Sequence, residues 1–324
     1  MLILERVCAG LLFCLLLPHG CNQQDSNRLL RSKAVQGGQP TQVLAVYEPW
    51  FGHPKHISVG YSSHDPQMVR RQIQQAKALG ISGFVVDWYG DREPFIGASY
   101  TLLQQAAAAE HFHIAMFYDE TSEEDGATDV ALADFKMFHD QYLAANSPGR
   151  EAYLTYQGRP VIFIFPKGGR TDWNRVRADL TKWDTPPLLI YEDGPGQYPN
   201  AFDGYYAWIN PGKSGWKPDG SGWGEDYLTD FYQRMEWKYP DKIAVGGVWS
   251  SFDDSKASWG LNRRISPRCG KTFSDTMVLS KKYYPLDSPI PFLLIETWND
   301  YEEGSAIERG LPTCNSESGQ VSSR

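Results

Sequence analysis

The chain has 324 residues, 41% of them hydrophobic and 14% aromatic, enough to bury one sizeable core within a single domain. Its formal net charge of -8 and the absence of any Lys/Arg cluster exclude a nucleic-acid binder, because phosphate contacts need a basic face. Residues 1–20 hold a short head with one Arg and then the apolar run from Val7 to Leu17. That layout is a secretory signal, and the run is too short to span a bilayer. Pro18-His19-Gly20-Cys21 resembles a lipoprotein cleavage site, with Pro18 standing where such sites place Leu. Membrane contact is therefore expected only through a lipid anchor at Cys21, and the expected location is secreted, periplasmic or on the outer surface. Cys8 and Cys14 would leave with the signal, so Cys269 and Cys314 remain as the disulfide candidate, two unpaired thiols being the alternative.

Residues 21–41 are polar, with no apolar period, and read as a linker. A folded domain then spans 42–315, and 316–324 form a polar tail. Within the domain, short apolar runs predict strands at 43–47, 83–87, 113–118, 161–165, 188–191, 202–207, 242–249 and 291–295. Helical patterns fall at 65–79, 96–110, 129–145, 172–180, 223–237 and 274–282. The first opens with an Asp65 cap and Pro66, and Gly80 stops it. Parallel βα units in this number predict an α/β fold, a single-domain (β/α)8 TIM barrel. An open doubly wound sheet would carry a Gly-rich turn after its first strand, and Tyr47-Glu-Pro-Trp-Phe-Gly52 stands there instead.

In such a barrel the residues just beyond each strand gather at one face, where chemistry is kept. Those positions are Glu48 and Trp50; Asp87, Trp88 and Tyr89; Tyr118, Asp119 and Glu120; Glu192 and Asp193; Trp208 and Asn210; Trp249, Asp253 and Asp254; and Glu296, Trp298, Asn299, Asp300 and Glu303. Acids mixed with aromatic platforms are what glycosidic bond cleavage needs: a proton donor, a base or nucleophile, and flat surfaces for sugar rings. Alone, a strand-end acid is more often a helix cap or turn former, and a lone Trp is usually core. Asp253-Asp254 also reads as a turn cap.

The segment Glu296-Thr-Trp-Asn-Asp-Tyr-Glu-Glu-Gly-Ser305 weighs most, because it ends an apolar strand in a concentration of acids. Asp300 and Glu303 lie three apart, so a helical turn would bring them to one side, Cβ atoms roughly 5–6 Å apart. Two carboxylates that close cannot both ionise freely, and one should keep its proton and serve as acid. Gly304 would let the backbone turn sharply beneath them, and Glu302 is expected to face solvent as a bystander. The competing reading is an acidic first turn of a last helix.

Thr297-Trp-Asn-Asp-Tyr-Glu-Glu-Gly-Ser-Ala-Ile-Glu308 resembles the T-W-N-D-Y-G-E signature of glycoside hydrolase family 71, the α-1,3-glucanases. It is also similar to the N-E-W-H-E-G-T-Q-I-E signature of family 99, the endo-α-mannosidases. Tyr47–Gly52 and Gly83–Tyr89 are similar to the ends of the first two strands of these proteins, and the order fits over residues 42–312. The resemblance implies a glycan-degrading barrel acting on α-linked glucose or mannose units. By position, Glu303 matches the proton-shuttling acid of both families, and Asp300 matches the family 71 Asp and stands where family 99 has Glu. The family 99 residue is associated with deprotonating the sugar 2-hydroxyl, with retention; the family 71 pair is associated with inversion through water. Asp300 is one methylene shorter than the family 99 Glu, and Glu302 stands where those motifs show Gly or His. Stereochemistry follows from the carboxylate separation, ~5 Å for retention and ~6.5–9.5 Å for inversion.

The expected site is therefore Asp300 and Glu303 as the catalytic pair, with Glu48, Trp50, Asp87, Trp88, Tyr118, Glu192, Trp208, Trp249, Asp253, Trp298 and Asn299 binding a polysaccharide or glycan. No cofactor and no metal are called for. His111-Phe-His113 has a metal-like spacing but enters the third strand at the wrong end. Ala207–Ser214 imitates a phosphate loop without its first Gly. Residues 212–224, with Trp216 and Trp223 among glycines, read as a long loop over the cleft or an ordinary surface loop. The alternative from another class is a surface protein that binds glycans on the same barrel without turnover.

Overall fold

A computed structural model describes residues 40–90, 93–120, 126–167, 169–209, 211 and 222–314. The leader, Cys21, nearly all of the linker, the tail, Asn210 and residues 212–221 of the loop lie outside the described residues. Eight parallel strands build the core: β1 (Gln42–Tyr47), β2 (Gly83–Trp88), β3 (His113–Asp119), β4 (Arg159–Phe165), β5 (Leu188–Glu192), β6 (Gly204–Tyr206), β7 (Ile243–Trp249) and β8 (Phe292–Glu296). The sheet closes because β1 pairs with both β2 and β8, while β3 pairs with β4. The result is the expected (β/α)8 barrel, each strand starting and ending within two residues of its sequence-based range.

Among the described residues, six α-helices wrap it: α1 (Pro66–Ala78), α2 (Pro94–Glu110), α3 (Ala127–Phe138), α4 (Trp173–Leu180), α5 (Glu225–Trp237) and α6 (Lys271–Tyr283). Asp65 starts α1 by accepting the Gln67 and Met68 N–H groups, and Pro66 occupies the first turn, where its missing N–H costs nothing. Asp172 starts α4 in the same way. The α3 helix stops short of the expected 145 and continues as a π-helical turn over His139–Leu143. No helix links β5 to β6. Among the described residues, no helix is long and apolar enough to cross a membrane.

Alternation along the strands sorts the apolar residues into two clusters. Leu44, Val46, Val85, Ala115, Phe117, Val161, Phe163, Leu188, Ile190, Ile243, Val245, Phe292 and Leu294 fill the barrel interior. Ala45, Tyr47, Phe84, Val86, Met116, Ile162, Leu189 and Leu293 point outward and meet the helices through Val69, Ile73, Leu103, Val176 and Phe231. Each such side chain withdrawn from water contributes roughly 1.5–3 kcal/mol. His113 opens β3, at the end of the barrel away from the strand C-termini.

Cys269 and Cys314 are joined by a disulfide, their Cα atoms 4.5 Å apart across 45 positions of sequence. It ties the chain after β8 to the start of α6. By chain entropy, closing such a loop stabilises the fold by up to about 4 kcal/mol.

Candidate active site

The inward parity continues past the apolar layer. Two residues beyond Val46, Val85, Phe117, Ile190 and Leu294 stand Glu48, Asp87, Asp119, Glu192 and Glu296. The same step from Phe165 and Tyr206 reaches Lys167 and Trp208. The strands thus carry a ring of acids directly over an apolar floor. Burial pushes the Asp87 carboxyl up to about 6, against hydrogen bonding from Tyr89 and the charge of Lys167. Asp119 is pushed up to about 8, first by burial and then by Asp87, although Lys167 Nζ sits 2.9 Å from its Oδ2. Glu48 is raised well above its ordinary value by burial and by the charges of Asp87, Asp300 and Glu303. Glu48 and Asp87 stand close enough that the charge of Asp87 opposes ionisation of Glu48. Glu48 Oε2, Asp87 Oδ1 and Asp119 Oδ1 are buried acceptors with no donor among the described residues.

The loop after β8 brings Asp300 and Glu303 against this ring. It is braced from several sides: Trp298 N donates to Val46 O at 2.7 Å, and Ile307 N and Glu308 N both donate to Trp298 O. Glu308 accepts from Gln72 Nε2 at 2.6 Å, Tyr301 Oη at 2.7 Å and Tyr61 Oη at 3.0 Å. The expected helical turn is instead a tight non-helical one, in which Asp300 Oδ1 accepts the N–H groups of Glu302 at 2.9 Å and Glu303 at 2.8 Å. Gly304 takes a φ of +63°, and a Cβ there would lie 3.2 Å from Asp253, so the turn needs a glycine. Asp300 is raised well above its ordinary value by burial and by the Glu303 charge, against the two N–H donors. Glu303 is also raised, by burial, and Trp259 Nε1 donates to its Oε1 at 3.0 Å.

Glu48, Asp87, Glu192, Asp300 and Glu303 therefore share the barrel mouth. Trp208 lies there too, part-buried with its ring 5.3 Å from Phe117 and 5.5 Å from Phe165. Trp50 sits at the rim, its ring stacked on His56 at 4.6 Å. The other expected binding residues lie elsewhere. Trp88 and Tyr118 are one step out of phase and point to the helices, Trp88 against Phe138 and Tyr118 donating to Asp134 at 2.9 Å. Trp249 is fully buried, donating to Trp223 O and packed over Tyr227. Trp298 is buried beside Phe84. Asn299 holds the backbone of Glu48 through both its amide atoms, at 2.8 and 2.9 Å, and so clamps two loops rather than facing substrate. Asp253 caps a turn by accepting from Ser255 N and pairs with Arg264. Glu302 is no solvent-facing bystander: it is buried, receives His56 Nδ1 at 2.8 Å, and accepts Ile57 N–H.

Asp119, Tyr89 and Glu296 stood among the strand-end residues without being singled out, and strand parity is the signal that separates Asp119 and Glu296 from their neighbours. Glu296 is fully buried, raised well above its ordinary value by burial, and accepts the Ile209 N–H. Gly247 makes room for it, since a Cβ there would lie 2.8 Å from Glu296 Oε1. Lys167, His56 and Trp259 were missed altogether. Trp259 lies on a loop between β7 and α6, held by the fully buried Asp254, which accepts Leu261 N, Arg263 N and Arg263 Nε.

No protein-family model and no curated protein matches the chain. Among solved structures, the chain is similar to a GH99 endo-alpha-mannosidase from Bacteroides thetaiotaomicron, with TM-score 0.61 and 17% identity, covering 82% of this chain and 87% of that one. The same enzyme in complex with BIS-TRIS-propane aligns equally well, covering 86% of that chain. A glycoside hydrolase-like protein follows at TM-score 0.60 and 16% identity, covering 83% and 87%. The shared feature is the barrel fold.

Proposed function

We propose that the protein is a glycoside hydrolase acting on α-linked mannose- or glucose-type glycans, with Glu303 as proton donor and Asp300 as its carboxylate partner. One observation carries this reading: Asp300 and Glu303 stand together at the mouth of an acid-ringed barrel, each with its carboxyl raised above the ordinary range. Because burial raises the Glu303 carboxyl, it holds its proton to higher pH than an ordinary carboxyl and can give it to the departing glycosidic oxygen. Asp300, fixed through Oδ1 by two backbone N–H groups, is the partner carboxylate and acts as base or nucleophile once it has released the proton that burial and the Glu303 charge favour on it. The buried acceptors on Glu48, Asp87 and Asp119 suit sugar hydroxyl donors, and Trp208 supplies a ring-sized flat surface. The α-mannose class is supported by the motif over Thr297–Glu308 and by the barrel likeness to an endo-alpha-mannosidase.

Reducing-end release from a panel of α-mannans and α-glucans tests the assignment. The wild type should cleave at least one, and Glu303→Gln should lower kcat by about 10²–10⁴ while glycan binding survives. Binding without cleavage across the panel would replace the hydrolase with a glycan-binding protein. We further propose export through the leader at 1–20 with lipidation at Cys21; the disulfide between Cys269 and Cys314 suits an oxidising compartment. Mass spectrometry of the mature N-terminus tests this, a diacylglyceryl-modified Cys21 being the expected result and a chain retaining residues 1–20 the contrary one.

A further inference from the structure

A second feature lies beside the acids. The loops after β1 and β2 enclose a cavity of about 120 Å³, walled by Trp50, His53, His56, Tyr89 and Phe95. Sites for whole drug-sized ligands run to roughly 300–1,000 Å³, so this one has space for about a single ring. Aromatic faces on several sides suit the C–H faces of a pyranose. The Lys55–Glu93 ion pair at the rim, 3.1 Å apart, offers both donors and acceptors to hydroxyl groups.

The walls are held in place before any ligand arrives. His64 stacks on Phe95 at 3.7 Å and bonds its carbonyl at 2.9 Å, while His53 meets the Phe95 ring edge-on at 5.3 Å. His56 lies flat on Trp50, 5° from parallel, and is tied to Glu302, the neighbour of Glu303 in the loop after β8. Two of the cavity's walls also reach toward the acids. Tyr89 lies near enough to Asp87 and Asp119 to favour the charged form of both. Trp50 meets the edge of Trp259, the indole that donates to Glu303.

We infer that this cavity is a second sugar-binding position, taking one further ring of the glycan whose bond lies at Asp300 and Glu303. The inference rests on the hydrolase reading and deepens it: the substrate is an oligosaccharide, and Glu302, which departs from both related motifs, couples the distant ring to the loop that carries the acids. Rings preorganised by stacking lose little freedom on binding, so the occupied cavity should add affinity efficiently.

Calorimetric titration of Glu303→Gln protein with α-linked oligosaccharides of one to four rings tests the cavity. Affinity should rise about ten-fold or more on adding the ring that reaches it, and most of that gain should disappear in Glu303→Gln/Phe95→Ala and in Glu303→Gln/His53→Ala. In the otherwise wild-type background, the same two single changes should lower kcat/KM for the longest glycan relative to an activated aryl glycoside by about ten-fold. Measuring two independent variants, with melting temperatures for both, separates loss of a subsite from loss of fold. Cleavage and binding that do not depend on glycan length, or long-to-short ratios unchanged in both variants, would overturn the second site alone. Absence of any cleavage by wild type and of any binding by the Glu303→Gln protein would overturn the hydrolase reading, and the subsite with it.

Discussion

The barrel interior is built in two layers that follow the same geometric rule and serve opposite ends. Val46, Val85, Phe117, Ile190 and Leu294 form a dry floor; one inward step along the same strands, Glu48, Asp87, Asp119, Glu192 and Glu296 form a ring of acids. The floor lowers the free energy of the fold by burial. The acids raise it, because burial disfavours their charge, and they persist at the mouth where chemistry can use raised carboxyls. Stability and function are therefore separated by two residues along one strand.

The widest contrast should come from truncating each layer. Leu294→Ala should cost 2–5 kcal/mol in urea unfolding, with kcat of the remaining folded protein close to wild type. If that change instead lowered kcat and spared stability, the layers would not be distinct. In the mouth, Asp300→Asn should lower kcat by at least about 10² and leave the melting temperature unchanged or higher. A clear loss of stability in that variant would assign Asp300 to scaffolding.

Titration sharpens the same comparison. Asp87 is raised to about 6 and Asp119 to about 8 from an ordinary 3.8, so between pH 4 and 8 the folded protein holds more protons than the unfolded chain. Their stabilising share is complete below about pH 4 and is lost as pH rises through the folded values. Melting temperature should fall from pH 5 to pH 8 on this account, and Asp119→Asn should flatten the fall; an equal slope in the variant would show that Asp119 is not the group responsible. The smallest effect concerns Trp259→Phe. Its indole N–H favours the charged form of Glu303, so losing it should push the Glu303 carboxyl higher and move the alkaline limb of the pH–rate profile upward, with kcat lowered about ten-fold or less. An unmoved limb would mean that Trp259 does not touch the acid in solution.

Much of this was readable in advance because strands and helices are written in short-range patterns. Asp65 and Pro66 announce α1 within a few residues, and the eight apolar runs locate every barrel strand. Parity was equally present but stricter than a strand-end rule: Asp87 and Trp88 are neighbours, yet one faces the mouth and the other faces Phe138. Glu302 shows the limit of local reading. Its neighbours in sequence gave no hint of His56, 246 positions away, and only the folding of the β1 loop against the β8 loop turns an apparent surface acid into a buried tie.

By itself, the chain's own order of residues determined the barrel, its apolar floor and the acids above that floor, since backbone periodicity alone decides which side chains share a face. Tertiary structure decided which loop residues act together: Trp259 on Glu303, His56 on Glu302, Asn299 on Glu48. Loops have no repeating geometry, so their side chains acquire partners only when distant strands bring them to the same rim.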